Sequence, residues 1–224
     1  MTSLGRRRRH SRSLPQRSRL PRVERERQAL EAAHALFAER GYARVTMDDV
    51  ADAVGVTKPL LYRYFGNKER LYLACMEPAG ELLIRTVVDA VTPTTTPVDA
   101  LRAGLLAFFE FLDSDRDAWR VLFDETLPVS GEVAQRVAEY RDRLTELVAT
   151  AVLSQLPPSR RVMDRSEVEA LSAAVLGAAE ALGRWWLRGQ AISARKAAEL
   201  LISTVEPGLR LRTRSYDETP GKVI

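Results

Sequence analysis

Apolar side chains recur every three or four residues along most of the chain, a spacing typical of amphipathic helices. No run alternates apolar and polar residues convincingly, so the pattern provides no candidate for a β-strand. We therefore predict an all-α protein. The predicted helices cover residues 22–40, two short segments within 46–65, a fourth helix from 68, and then about 97–112, a short helix around Trp119, 132–156, 166–188 and 193–205.

Two prolines are expected to interrupt this pattern. Pro78 falls inside the apolar repeat of the fourth helix. Proline removes one backbone hydrogen bond and crowds the carbonyl four residues earlier, which predicts a kink or break near Ala74. Pro207 and Gly208 are expected to follow the end of the last helix, at about Val205.

The stretch from Thr46 to Lys68 predicts two short helices joined by a tight turn. Thr46 and Asp49 have the spacing of an N-terminal capping box. Gly55 permits the turn because it has no Cβ to clash at positive φ. Thr57 is placed to cap the second helix, and Pro59 lies in its first turn, where a missing N–H costs little.

The second of these helices has a narrow apolar edge, formed by Leu61 and Phe65 one turn apart. Basic and aromatic residues dominate the rest of its surface, and such a surface suits the major groove of DNA. Tyr62 and Tyr64 have a simpler alternative, which is packing against the first helix. The residues off the apolar edge are Thr57, Lys58, Pro59, Leu60, Tyr62, Arg63 and Tyr64.

Charge is unevenly distributed. The chain has a formal net charge of +4, but its first 22 residues contain eight arginines and no acidic residue. Residues 1–21 have almost no apolar anchor and are predicted to be a disordered arm. Next to a helix-turn-helix, such an arm is typical of binding to a nucleic-acid backbone. A solubilising or targeting tail is the alternative.

Several classes of protein are disfavoured. Cys75 is the single cysteine, the histidines are His10 and His34, and no phosphate loop, metal-ligand spacing or nucleophile motif occurs. We therefore expect no enzyme activity, no metal and no cofactor. The basic start lacks the apolar segment of a secretory signal, and no run is long enough to span a membrane, so a cytoplasmic protein is expected.

The region 22–77 resembles the tetracycline-repressor (TetR) family of bacterial transcription regulators. The resemblance implies a three-helix DNA-binding domain with a helix-turn-helix at 22–67, a helical regulatory and dimerisation domain at 68–211, and a frayed tail at 212–224. Two departures concern Pro59 and Leu60, where many members have glycine and a polar residue. The residues that carry the resemblance are Phe37, Gly41, Thr46, Ala51, Ala53, Gly55, Val56, Thr57, Leu61, Tyr62, Phe65, Lys68 and Leu71.

The same resemblance implies roles for individual residues. The helix that starts at Thr57 would be the recognition helix, with Thr57, Lys58, Pro59 and Leu60 nearest the bases. Thr46 and Lys68 would bind phosphate at helix N-termini, and Tyr62 and Tyr64 would reach the DNA backbone.

Residues 170–187 are apolar over more than one face, so this helix must be buried on two sides. Family members dimerise through their last two long helices, which implies a homodimer; a monomeric core helix is the alternative. The expected interface residues are Ala174, Gly177, Ala178, Ala181 and Trp185.

A cavity for a small, largely apolar ligand is also implied by the resemblance, although ordinary core packing explains each of its aromatic residues as well. Its expected lining residues are Phe108, Phe111, Trp119, Phe123 and Tyr140.

The sequence therefore predicts a sequence-specific regulator that binds a palindromic duplex operator as a homodimer. The expected mechanism is repression relieved by the apolar ligand. One alternative is a DNA-binding regulator without a small-molecule effector, controlled by a protein partner or by its own concentration. Another is a nucleoid protein that binds DNA without sequence preference through its arginine arm.

Overall fold

The computed structural model describes residues 21–155, 164–189 and 191–214, and within them the protein is helical without a β-strand. The N-terminal unit, which the sequence predicts to be the DNA-binding unit, contains α1 (Arg22–Arg40), a 3-10 turn (Tyr42–Arg44), α2 (Met47–Val54) and α3 (Lys58–Phe65). The larger body contains α4 (Lys68–Val91), α5 (Pro97–Ser114), α6 (Arg116–Leu122), α7 (Glu132–Gln155), α8 (Arg165–Gly189) and α9 (Ala194–Arg214). The predicted all-α class is confirmed, whereas residues 1–20 of the predicted arm lie outside the described residues.

One hydrophobic core extends from the DNA-binding unit into the body. At their junction the ring of Tyr72 in α4 lies 4.8 Å from the ring of Phe37 and 5.0 Å from that of Tyr42. Helix α5 packs against α4, α7 and α9, while α8 packs on α7 and α9. The DNA-binding unit is therefore held against the body by buried aromatic residues.

Helix α4 runs without a break through Pro78, so the predicted break near Ala74 is wrong, while a kink there stays a prediction. Cys75, Met76 and Ala79 are buried on both sides of the proline, and the Tyr140 hydroxyl donates to the carbonyl of Glu77 at 3.3 Å. These contacts with other helices offset the single hydrogen bond that proline removes.

The predicted end of α9 at Val205 is also wrong, because the helix continues through Pro207 to Arg214. Residues 212–214 of the predicted tail therefore belong to α9, and residues 215–224 lie outside the described residues. Glu206 accepts hydrogen bonds from Arg102 of α5 and from Arg210 one turn later, both at 2.7 Å. The first contact joins α9 to α5 just before the proline, and the second spans the proline within α9.

A buried ion pair fixes the orientation of α8. Glu180 is 5% exposed, and its two carboxylate oxygens accept hydrogen bonds from Arg141 of α7 at 3.0 and 2.9 Å. A buried carboxylate requires such pairing. The face of α8 opposite Glu180 therefore points away from α7. Within the described part of the chain, no helix is long and apolar enough to cross a membrane.

Candidate nucleic-acid interface

The turn between α2 and α3 follows from local sequence signals. The Thr46 hydroxyl accepts a hydrogen bond from the Asp49 backbone N–H at 3.2 Å, and the Asp49 carboxylate accepts one from the Thr46 backbone N–H at 2.7 Å. The hydrogen bond from the Thr46 hydroxyl lowers the pKa of Asp49. Gly55 adopts the left-handed conformation, with φ 71° and ψ 35°, that ends α2. The predicted capping box and turn are both confirmed.

Helix α3 contacts the rest of the protein through a narrow edge. Leu61 is completely buried and Phe65 is half-buried. Thr57, Lys58 and Pro59 are exposed, as are Arg63 and Tyr62, the last at 41%. The residues that the sequence assigns to DNA contact are therefore exposed, apart from the partly buried Leu60, Tyr64 and Lys68.

Lys58 has a partner that the sequence analysis missed. Its Nζ atom lies 2.7 Å from Oδ2 of Asp48 in α2, and this hydrogen bond raises the pKa of Lys58. The two residues are ten positions apart on different helices. Helical periodicity places neither side chain in the core, so it contains no signal for a surface pair of this kind.

The two residues expected to bind phosphate occupy different surroundings. Thr46 is engaged in the cap of α2, although its residue stays exposed. The Nζ atom of Lys68 lies 4.2 Å above the centre of the Tyr42 ring, and partial burial lowers its pKa. Lys68 follows Asn67, whose side chain accepts a hydrogen bond from the Arg70 backbone N–H at 2.8 Å at the start of α4. Phosphate binding by both residues stays a prediction.

The two tyrosines of α3 differ in their contacts. Tyr64 is half-buried; the guanidinium carbon of Arg22 lies 5.5 Å from the centre of its ring, and the Phe65 ring packs edge-on against it. Tyr64 therefore packs against α1. Tyr62 stays exposed and available for another molecule.

The aromatic residues expected to line a ligand cavity pack mainly against one another. The rings of Trp119 and Phe123 stack with their centres 3.7 Å apart, and Phe108 lies 5.3 Å from Trp119. Phe111 is 3% exposed. The space beside Phe123 and Tyr140 is only about 20 Å³, and that beside Phe108 about 50 Å³.

A larger space of about 300 Å³ lies among α5, α7, α8 and α9. The space beside Phe108 shares four of its lining residues with this one, namely Leu101, Val148, Ser172 and Val175. These residues were missed by the sequence analysis, since aliphatic side chains at helical spacing predict only a core. The full lining of the larger space is Leu101, Val148, Val152, Val168, Leu171, Ser172, Val175, Val205, Gly208 and Leu209.

One face of α8 is exposed although it is apolar. Ala174, Gly177 and Ala181 are exposed, Ala178 is half-buried and Trp185 is 47% exposed. Leu171 on α8 and Leu200 on α9 are also exposed, at 37% and 46%. The residues predicted to form the dimer interface are thus accessible in the single chain. Among the described residues, no group of three or more His, Cys, Asp and Glu side chains could hold a metal ion.

Models of known families match two segments of the chain. Residues 29–75 match the model of bacterial regulatory proteins of the tetR family, and residues 97–206 match that of the tetracyclin repressor-like C-terminal domain. A solved TetR-like transcriptional regulator from Rhodococcus sp. RHA1 has a TM-score of 0.68 and 33% identity, covering 86% of this chain and 99% of that one.

Two curated relatives are also similar. The transcriptional activator FasR of Mycolicibacterium smegmatis is 38% identical over 131 residues, which is 58% of this chain and 60% of that protein. The transcriptional repressor KstR2 of Mycobacterium tuberculosis is 23% identical over 180 residues, which is 80% of this chain and 90% of that protein.

Proposed function

The chain belongs to the TetR family of bacterial regulatory proteins, and from this premise we propose that it is a DNA-binding transcriptional regulator. In detail, it binds a palindromic operator as a homodimer and leaves that operator when a largely apolar ligand enters its body. The family and the named relatives are transcriptional regulators, not enzymes.

The observation that supports DNA binding most strongly is the exposure of α3. This eight-residue helix buries Leu61 and leaves Thr57, Lys58 and Tyr62 accessible. In a helix-turn-helix, the N-terminal residues of the second helix contact base edges in the major groove. Lys58 can donate to guanine, and Pro59 can contact a thymine methyl group.

The exposed face of α8 supports the homodimer. Ala174, Gly177 and Ala181 are small enough for two helices to approach closely, and Trp185 adds a large apolar surface. One short recognition helix contacts only a few base pairs. A two-fold dimer presents two such helices and therefore matches a palindromic site.

The space of about 300 Å³ among α5, α7, α8 and α9 supports an apolar ligand. Its walls are aliphatic apart from Ser172, and a smaller space beside Phe108 shares part of these walls. An apolar ligand suits these walls better than a polar molecule does. The ligand changes DNA binding only if it has unequal affinity for the two arrangements of the dimer.

The direction of regulation depends on where the operator lies. KstR2 is named a repressor and FasR an activator, so relatives of this chain include both. We propose repression relieved by the ligand for an operator that overlaps a promoter, because the bound dimer then obstructs transcription.

Two experiments test this function. The purified chain is first used to select duplexes from a random pool, and nuclease protection is then measured on the DNA upstream of its own coding region. The expected result is a palindrome with two half-sites about one helical turn, or a multiple of one, apart. Equal affinity for all duplexes would contradict the proposal and favour DNA binding without sequence preference.

A further inference from the structure

The pair formed by Asp48 and Lys58 lies on the exposed edge of the helix-turn-helix. The Oδ2 and Nζ atoms are 2.7 Å apart, and the two side chains are 58% and 48% exposed. The neighbouring Asp49 is used differently, because its carboxylate accepts hydrogen bonds from Thr46 in the cap of α2. Asp48 instead directs its carboxylate to the first residue of α3.

Both residues lie at the N-terminal end of their helix. Lys58 is the first residue of α3, and Asp48 lies in the first turn of α2. Because the N-terminal residues of the recognition helix contact base edges, the carboxylate enters the major groove together with the ammonium group. The pair thus presents a hydrogen-bond donor and an acceptor side by side.

A G·C base pair offers the matching arrangement. Across the major groove guanine presents the N7 and O6 acceptors, and its cytosine partner presents the N4 donor. An A·T pair instead presents an acceptor, a donor and an acceptor. The Lys58 ammonium group has three donors, of which Asp48 uses one, and the Asp48 carboxylate keeps spare acceptor capacity.

We propose that Asp48 and Lys58 together recognise one G·C base pair in each half-site, with Lys58 on the guanine and Asp48 on the cytosine. This inference rests on the proposed function, since it requires that α3 enters the groove. It assigns to an acidic residue a role in base selection that is normally given to the basic and polar residues of α3.

The same carboxylate disfavours binding to random DNA. Contacts to phosphate carry no sequence information and supply most non-specific affinity. A negative charge 2.7 Å from the Lys58 ammonium group offsets its attraction to phosphate. Only a G·C pair at the correct position offers the carboxylate a hydrogen-bond donor. Asp48 therefore increases the difference in affinity between the operator and random DNA.

The experiment measures the affinity of the full chain for the selected operator, for every single base-pair substitution of it, and for a random duplex. The unaltered chain should prefer G·C at one symmetric position by roughly tenfold or more, as expected for a good paired contact. Asp48→Ala should reduce that preference for G·C to a few-fold at most, and it should leave the base preferences at the other positions unchanged. On random DNA it should bind more tightly, with a salt slope steeper by up to about one.

Three further variants make the result specific. Asp52→Ala removes an exposed carboxylate from the same helix and should change no base preference. Asp48→Asn keeps a carbonyl acceptor without the charge, so it should retain part of the preference for cytosine. Lys58→Ala should affect the same base pair as Asp48→Ala, and the two effects should not add in the double variant.

The outcomes separate this inference from the proposed function. Specific operator binding with an Asp48→Ala profile equal to that of the unaltered chain would overturn the inference alone. An effect of Asp48→Ala at a different base pair from Lys58→Ala would also overturn it. A chain that prefers no duplex would contradict the proposed function as well.

Discussion

The carboxylate of Asp124 accepts a hydrogen bond from the backbone N–H of Tyr42, and this contact joins the body to the DNA-binding unit. Thr126 extends it, because its hydroxyl accepts from the Ala43 backbone N–H at 3.1 Å and donates to Asp124 at 2.8 Å. Gly41 has φ 77°, and a Cβ there would lie 3.0 Å from the Thr126 hydroxyl. The segment after α6 therefore holds the turn that precedes α2.

Replacing Asp124 should loosen this junction. Asp124→Ala leaves the Tyr42 N–H without its charged acceptor, and the expected cost is roughly 1.5–3 kcal/mol in the free energy of unfolding. Chemical denaturation and hydrogen exchange at residues 41–50 measure it. Glu125→Ala is the matched control, since it removes the adjacent carboxylate, which is exposed and has only a 3.7 Å pair with Arg184. Equal destabilisation by both variants would show that Asp124 has no special role at the junction.

A second prediction concerns the apolar space among α5, α7, α8 and α9. A series of n-alkanols should raise the midpoint of thermal unfolding, because a ligand that binds only the folded state stabilises it. The binding free energy should become more favourable by about 0.8 kcal/mol per additional buried methylene, until the alkanol is too long to fit. Val148→Trp adds bulk to the wall that this space shares with the one beside Phe108 and should abolish the effect, whereas Val129→Trp, at a fully exposed position, should preserve it.

The same measurement separates the proposed mechanism from its main alternative. If no alkanol or other apolar compound stabilises the chain, control by a protein partner or by concentration is favoured. If such a compound stabilises the chain equally in the Val148→Trp variant, it binds elsewhere.

The sequence predicted those features that depend on local signals. The boundaries at Thr46, Gly55 and Asn67 follow from side-chain caps and positive φ, which neighbouring residues determine. The helices continue through Pro78 and Pro207 because distant residues hold them, and no local pattern reports such contacts. In the candidate interface, the exposure of Lys58 was predictable.

Two other features of the candidate sites could not be predicted from the sequence. The partner of Lys58 is Asp48, and both are polar surface residues whose pairing depends on how α2 and α3 cross. The cavity is bounded by aliphatic side chains, while Trp119 and Phe123 fill their own space by stacking. Composition cannot distinguish a filled aromatic cluster from a lined cavity.

The arginine arm provides a third prediction. Arg22 begins α1 beside Tyr64 of α3, so α1 starts next to the proposed recognition helix. Deleting residues 1–21 removes seven arginines. Affinity should fall for operator and random duplexes alike, and the slope of log affinity against log salt should decrease by up to roughly six. An unchanged slope would mean that the arm does not contact phosphate.

A fourth prediction uses Cys75, which is 6% exposed and whose thiol donates to the Leu30 carbonyl at 3.7 Å. Burial raises its pKa from 9.0 to about 12. The folded chain should therefore react slowly with a chromogenic disulfide reagent at neutral pH, and the denatured chain should react rapidly.

The raised pKa of Cys75 also has a consequence for stability. The unfolded thiol loses its proton near pH 9 while the folded thiol keeps it, so this contribution to stability declines from about pH 9 to 12. Rapid labelling without denaturant would show that α1 and α4 separate readily.

The last prediction concerns the exposed apolar face of α8, in which Trp185 is the largest side chain. Trp185→Glu places a charge where a second copy would exclude water, which is costly unless the charge is paired. We expect the proposed dimer to weaken by at least roughly 2 kcal/mol, about thirtyfold in its dissociation constant. Light scattering measures the mass of the protein in solution. The affinity for the palindrome should fall as the dimer dissociates, because a single subunit contacts only one half-site. Leu82→Glu changes another exposed apolar residue, on α4, and should leave the dimer intact. A dimer that survives Trp185→Glu but not Leu82→Glu would place the interface on α4 instead.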